Sequence, residues 1–129
     1  KAREYKMDIA FEFHNGTLTD YADSALKLIE EIGYENVGLY WQPLNMHSDE
    51  INLENLKMVL PKLRNIHAFG NQSATVPMKE SENFWKTCYE ILKENGVTDE
   101  EHTAYLEFVM NGSEEQFFED AECLKRYLA

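Results

Sequence analysis

Three observations predict an α/β fold with parallel strands. Four short apolar runs rich in strand formers alternate with four stretches whose apolar residues recur at helical spacing. The units follow one another at about 30 residues, the length of one βα repeat rather than of a solenoid motif. Each strand also carries one unusual polar residue near its C-terminal end. Strands that alternate with helices imply parallel pairing through right-handed crossovers. With 43% hydrophobic and 28% charged residues, 129 residues suffice for one core, so a single domain over 1–129 is expected.

The first strand is expected over Asp8–His14, with Phe11 and Phe13 on one face and Ala10, Glu12 and His14 on the other. Thr17 or Thr19 can cap the helix that follows, whose Ala22, Ala25, Leu26, Ile29 and Ile32 recur at helical spacing up to Gly33, a natural stop. Val37–Gln42 reads as the second strand, which Pro43 ends by removing a donor. The polar stretch 45–52 reads as loop, and Leu53, Leu56, Val59 and Leu60 as a short helix that Pro61 terminates. Asn65–Gly70 is the third strand. Asn71–Lys79 is a long loop suited to binding. Ser81 opens a third helix with Phe84, Trp85, Cys88, Ile91 and Leu92 inside, closed by Asn95-Gly96, and residues 99–101 read as a solvated turn. Thr103–Val109 is the fourth strand. Ser113 and Gln116 then form a capping-box pattern before a helix with Phe117, Ala121, Leu124 and Leu128 on its apolar stripe.

The polar strand residues are Glu12, Gln42, His67 and Glu107. In parallel α/β proteins the C-terminal strand ends and the loops after them converge, and sites assemble there. Alternation places Glu12 with Ala10, Gln42 with Tyr40, His67 with Asn65 and Glu107 with Tyr105, while the other parity is mostly large and apolar. Two carboxylates, an imidazole and an amide oxygen form a mixed N/O set that suits Mn, Mg or Zn. Any one of them also fits the role of a satisfied core residue. His14 and His47 read equally as loop histidines or substrate contacts, and Trp41 joins them as a substrate-contact candidate. There is no glycine-rich phosphate loop and no legible Ser/His/Asp or Cys/His set.

Charge narrows the partners. Twelve basic against 24 acidic residues give a formal charge of -12, which repels a phosphate backbone and makes nucleic acid a poor partner. No apolar run approaches the roughly 20 residues of a spanning helix, so no membrane partner is expected. Cys88 and Cys123 are not spaced as a metal pair and read as buried thiols, which fits a reducing, cytoplasmic setting.

The segments Phe-Glu-Phe-His-Asn-Gly-Thr-Leu-Thr-Asp (11–20), Leu-Tyr-Trp-Gln-Pro (39–43), Asn-Ile-His-Ala-Phe (65–69) and Tyr-Leu-Glu-Phe-Val (105–109) resemble the xylose isomerase-like TIM-barrel superfamily of sugar phosphate isomerases and epimerases. The resemblance covers nearly the whole chain and corresponds to the second half of that barrel, strands five to eight. It implies a divalent metal held by Glu, Asp, His and Glu at the four strand ends. Glu12, His67 and Glu107 match, whereas Gln42 stands where the family has Asp. The His that usually follows that Asp is replaced by Asn45, with His47 nearby. The resemblance further implies that Glu12 and Glu107 act from opposite sides of a bound ketose, passing a proton by way of an enediolate. A neutral Gln42 removes one negative charge, so a weakened or lost metal is also open. The alternatives are a non-catalytic carbohydrate-binding or regulatory half-barrel and, last, an endonuclease-type metallohydrolase.

Four βα units leave strand edges at 8–14 and 103–109 that a closed eight-stranded barrel would pair. The chain opens without Met. Self-association, or a missing N-terminal half-barrel, is therefore the expected partner, beside a small-molecule sugar substrate.

Overall fold

The computed structural model describes residues 1–70, 76–97 and 102–128. It contains β1 (Ile9–Glu12), α1 (Ala22–Ile32), β2 (Val37–Trp41), α2 (Asp49–Val59), β3 (Leu63–Ala68), α3 (Glu82–Glu94), β4 (Thr103–Leu106) and α4 (Glu114–Leu128). The sheet has four strands in the order β1-β2-β3-β4, with β1 parallel to β2 and β2 parallel to β3. The α/β class with four βα units is thus as expected, and four is half the number in a TIM barrel. Two compact units make up the chain, Lys1–Ile66 and His67–Ala129. Residues 71–75 of the expected binding loop, and the expected turn at 99–101, lie outside the described residues.

In the first unit, β2 is the buried strand: Val37, Leu39 and Trp41 are all in the core. Gly38 is required there, because a Cβ would lie 2.6 Å from the Lys62 carbonyl oxygen. Beside this crowding the β2–β3 register shifts, between Leu39 and Tyr40. Ala22, Ala25 and Ile29 bury one face of α1, and Gly33 ends it in the left-handed region at φ 66°. The threonines do not cap this helix. Its N-cap is Tyr21, which makes no side-chain cap bond. Thr19 Oγ1 instead donates to the Glu12 carbonyl at 2.6 Å and Thr17 Oγ1 to the His14 carbonyl at 2.8 Å, tying the loop to the end of β1.

The helix α2 starts earlier than the polar stretch suggested. Ser48 caps it, accepting from the Ile51 amide at 3.4 Å, and Asn52 and Asn55 lie buried beside Leu56 and Val59. Asparagine competes with helical hydrogen bonding and so reads as loop. Here each amide has a buried main-chain partner. Asn52 accepts from the Leu44 amide at 2.9 Å and donates to its carbonyl at 3.1 Å, while Asn55 accepts from the Ala22 amide at 2.8 Å.

In the second unit Trp85, Cys88, Tyr89, Ile91 and Leu92 bury one side of α3, and Cys123, Leu124 and Tyr127 do so on α4. Both cysteines are free and buried, as expected. Gly70 has no room for a side chain, since a Cβ would collide with the Val76 and Pro77 carbonyls. Its own carbonyl accepts from Ser81 Oγ, so Ser81 pins this return rather than capping α3. Of the expected capping box, Ser113 Oγ accepts from the Gln116 amide at 3.3 Å, but the Gln116 side chain turns inward and donates to Asp120 Oδ1 at 2.9 Å. Buried Asp120 also accepts from the Met78 amide at 2.9 Å. The buried stripe of α4 therefore begins with Gln116 and Asp120, and Phe117, expected inside, is 44% exposed.

Candidate functional site

Within the first unit, register sets which side chains share a face. Glu12 pairs with Tyr40, and Tyr40 with Asn65, while Phe11 pairs with Leu39, and Trp41 with Ile66. Residues paired across parallel strands point the same way, so Glu12, Tyr40 and Asn65 share the face that alternation assigned to them. Glu12 is exposed at the last position of β1. The chain after it is held by three bonds: Thr19 to the Glu12 carbonyl, the Phe13 amide to the Tyr40 carbonyl at 2.9 Å, and Gln42 Nε2 to the Phe13 carbonyl at 2.7 Å.

That last bond gives Gln42 a reason to be an amide. The side chain is 1% exposed and donates to a carbonyl, which an ionised carboxylate cannot do. His14 is exposed, with Nδ1 3.1 Å from the Asn15 carbonyl. Asn15 Nδ2 donates to Asn45 Oδ1 at 2.7 Å, joining the loops that follow β1 and β2. His47 is buried against Asn55 and Tyr21. Trp41, expected at the substrate, is completely buried on the parity of Leu39; a ring with no accessible surface serves the core.

Within the second unit the structure brings His67 and Glu107 together. His67 lies in β3, next to Ala68, whose carbonyl accepts from the Glu107 amide at 3.0 Å. This bond sets the two residues side by side, with His67 Nδ1 3.2 Å from Glu107 Oε2 and both side chains partly shielded from water. β4 stops at Leu106, short of the expected Val109, because Phe108 turns into the left-handed region at φ 53°. A bulky residue at positive φ is strained by roughly 1–2 kcal/mol. The strain is offset by an edge-on contact of the Phe108 ring with Phe69, centroids 5.3 Å apart. Glu107 thus sits on a turn clamped by two aromatic rings. An adjacent imidazole and carboxylate can share a proton or offer one nitrogen and one oxygen to a cation.

Asn52, Asn55 and Asp120 escaped sequence reasoning although they fix loops, and Thr19 was expected as a helix cap rather than a tie to β1. A usable signal was present for the asparagines: Asn52, Asn55, Leu56 and Val59 fall at helical spacing, which makes the asparagines members of a buried stripe. A cavity of about 350 Å³ opens among Arg3, Ile9, Tyr34, Asn36 and Val37. It lies where β1 and β2 begin, the opposite end from Glu12 and Gln42, and contains no convergent set of acids or histidines. No helix among the described residues is long and apolar enough to cross a membrane.

Compared with known proteins, the chain matches the family model described as xylose isomerase-like TIM barrel over residues 1–127. No curated protein and no solved structure matches it.

Proposed function

Since the chain belongs to the xylose isomerase-like TIM barrel family, we propose that it serves as a metal-assisted isomerase or epimerase of a sugar or sugar phosphate. The observation that carries this reading is the His67–Glu107 pair at 3.2 Å, an acid–base couple held half-buried at the ends of adjacent strands. In this reading His67 and Glu107 offer one nitrogen and one oxygen to a divalent ion, and Glu12, at the strand end of the first unit, is the proposed second carboxylate. Mn, Mg and Zn all accept two carboxylate oxygens and one imidazole nitrogen, so the residues fit the group. A bound divalent ion would polarise the substrate carbonyl.

The chain's own residues do the rest. In this reading Glu12 and Glu107 take and return a proton by way of an enediolate, at adjacent carbons in an isomerase and on opposite faces of one carbon in an epimerase, and His67 orients the Glu107 carboxylate. Gln42, committed to the Phe13 carbonyl, contributes no charge, so the set has two negative charges rather than three and binds the ion more weakly. His14, on the loop after β1, is the proposed substrate contact from that side. Both free cysteines are buried, which suits a reducing cytoplasm.

Calorimetric titration of the chain with Mn²⁺, together with incorporation of solvent deuterium into added ketoses, tests the proposal. The expected result is one bound ion per chain, lost in His67→Ala and Glu12→Ala, and deuterium exchange lost in Glu107→Gln. Sugar binding without any metal would favour the second reading, a non-catalytic carbohydrate-binding half-barrel, for which the neutral, tethered Gln42 speaks. Neither metal nor sugar binding would overturn both. An endonuclease role is disfavoured by the charge of -12.

A further half is needed to close a barrel around this site. In the first unit Ile9 and Phe11 of β1 are 42% and 37% exposed, and in the second Tyr105 of β4 is 48% exposed. Apolar edge strands invite pairing. Sedimentation is expected to show association at micromolar concentration; a monomer with concentration-independent unfolding would refute it.

A further inference from the structure

The helix α1 begins at Ala22 without help from its own N-cap side chain. Its first amide donates to Asn55 Oδ1, 2.8 Å away. Only the oxygen of an amide side chain can accept a backbone N–H, so the NH₂ group of Asn55 is fixed on the other side. There it lies 3.3 Å from His47 Nδ1. An NH₂ group has hydrogens to give and no lone pair to offer, so Nδ1 receives this bond and carries no proton. A neutral imidazole has one N–H, which must then sit on Nε2.

That Nε2–H donor points to a ligand. His47 is 9% exposed, and its Nε2 is buried and meets no hydrogen-bond acceptor among the described residues. A buried donor held in one tautomer by a two-step relay, with no acceptor among the described residues, calls for an acceptor beyond them. Tyr21 packs its ring 4.4 Å from the imidazole, tilted by 46°, and is itself 47% exposed. Tyr21 and His47 stand in the loops that follow β1 and β2, at the C-terminal strand ends where α/β proteins bind their ligands.

We propose that Asn55 is a positioning residue that holds His47 as the Nε2–H tautomer, and that His47 donates this hydrogen to a hydroxyl oxygen of a neutral polyol once the Tyr21 ring turns aside. A neutral donor suits a neutral oxygen. Anions are disfavoured by the exposed Glu12 at the same strand end and by the charge of -12. The polyol part rests on the sugar reading proposed above; the tautomer part does not.

Nitrogen-15 NMR of the histidine rings in the metal-free chain tests both, with the His47 signals assigned from His47→Gln. The wild type is expected to show a pyrrole-type Nε2 and a pyridine-type Nδ1. Asn55→Asp still accepts from Ala22 but offers His47 only another acceptor, so Nδ1 must gain a proton and its signal change type. An Nδ1–H tautomer in the wild type, or an unchanged pattern in a folded Asn55→Asp, overturns the relay; if that variant does not fold, the wild-type pattern decides alone.

Titration with xylitol is expected to shift the Nε2–H proton, and to do so at a several-fold lower concentration in Tyr21→Ala, where the cover is removed. No shift in either protein overturns the ligand role, and a shift with inorganic phosphate alone overturns the choice of a neutral polyol. Failure of the isomerase reading would appear separately, as absent Mn²⁺ binding with the His47 response intact.

Discussion

Residues 1–66 hold their loops with three buried amides, where residues 67–129 anchor theirs on a buried carboxylate. In the first unit Gln42, Asn52 and Asn55 each lie inside and each bonds the main chain of a loop or helix end. In the second, Asp120 is the buried anchor, accepting from Met78 and Gln116, and His67 and Glu107 face each other half-shielded. An amide donates and accepts at once and carries no charge to desolvate, so it can lock a loop in the interior at any pH. A carboxylate only accepts, and burying it is tolerable where several donors converge. The first unit thus fixes its loops with groups that both give and take hydrogen bonds; the second fixes its own with an acceptor on which two donors converge.

The largest effect expected from breaking this contrast is in the aromatic core of the second unit. Trp85 is completely buried, donates Nε1–H to the Phe69 carbonyl at 2.7 Å and packs against Tyr89. Trp85→Ala should cost about 3–5 kcal/mol in denaturant unfolding. Asn52→Ala should follow at about 2–4 kcal/mol, because it strands both the amide and the carbonyl of Leu44 in the interior. Asn52→Asp sharpens the comparison: it can still accept from Leu44 but has no hydrogen for the carbonyl, so it should be no better than alanine. Asp120→Asn should cost only about 1 kcal/mol or less, since one amide oxygen can take both bonds that Oδ1 now accepts. Equal losses in Asn52→Asp and Asp120→Asn would erase the distinction between the units.

The sequence made the alternation of strands and helices legible because β2 and the faces of α1 and α3 follow plain periodic patterns. Its errors came where a polar side chain does the work of a turn. The asparagines of α2 disguised its first turn as loop, and Thr17 and Thr19 looked like caps although they bond back to β1. At the site, composition picked out His67 and Glu107, which meet, but could not show that Gln42 is spoken for by the Phe13 carbonyl. Alternation alone already set Trp41 on the apolar parity of Leu39, where it lies in the core.

The smallest effect at neutral pH, and the last way to separate the units, concerns two phenols. Tyr89 and Tyr127 lie buried on α3 and α4, ring centroids 6.4 Å apart. Neither hydroxyl forms a well-aligned hydrogen bond among the described residues, although the Cys123 sulfur is close enough to Tyr127 to be felt. Burial, then Cys123 and Glu82, push Tyr127 up to about 12. Burial, then Cys88 and Tyr127, push Tyr89 up as well. In the unfolded chain a phenol titrates near 10, so from about pH 10 to about pH 12 the unfolded chain binds fewer protons than the folded one. Stability is therefore whole below that window and falls as pH rises through it. Substituting phenylalanine for both tyrosines removes two buried and poorly bonded hydroxyls at once, so at pH 7 the change should be near zero or slightly stabilising. The decline above pH 10 should become shallower. Urea titrations of wild type and double variant at pH 7, 9 and 11 make the comparison. An identical alkaline decline in both proteins would place its source outside this helix pair.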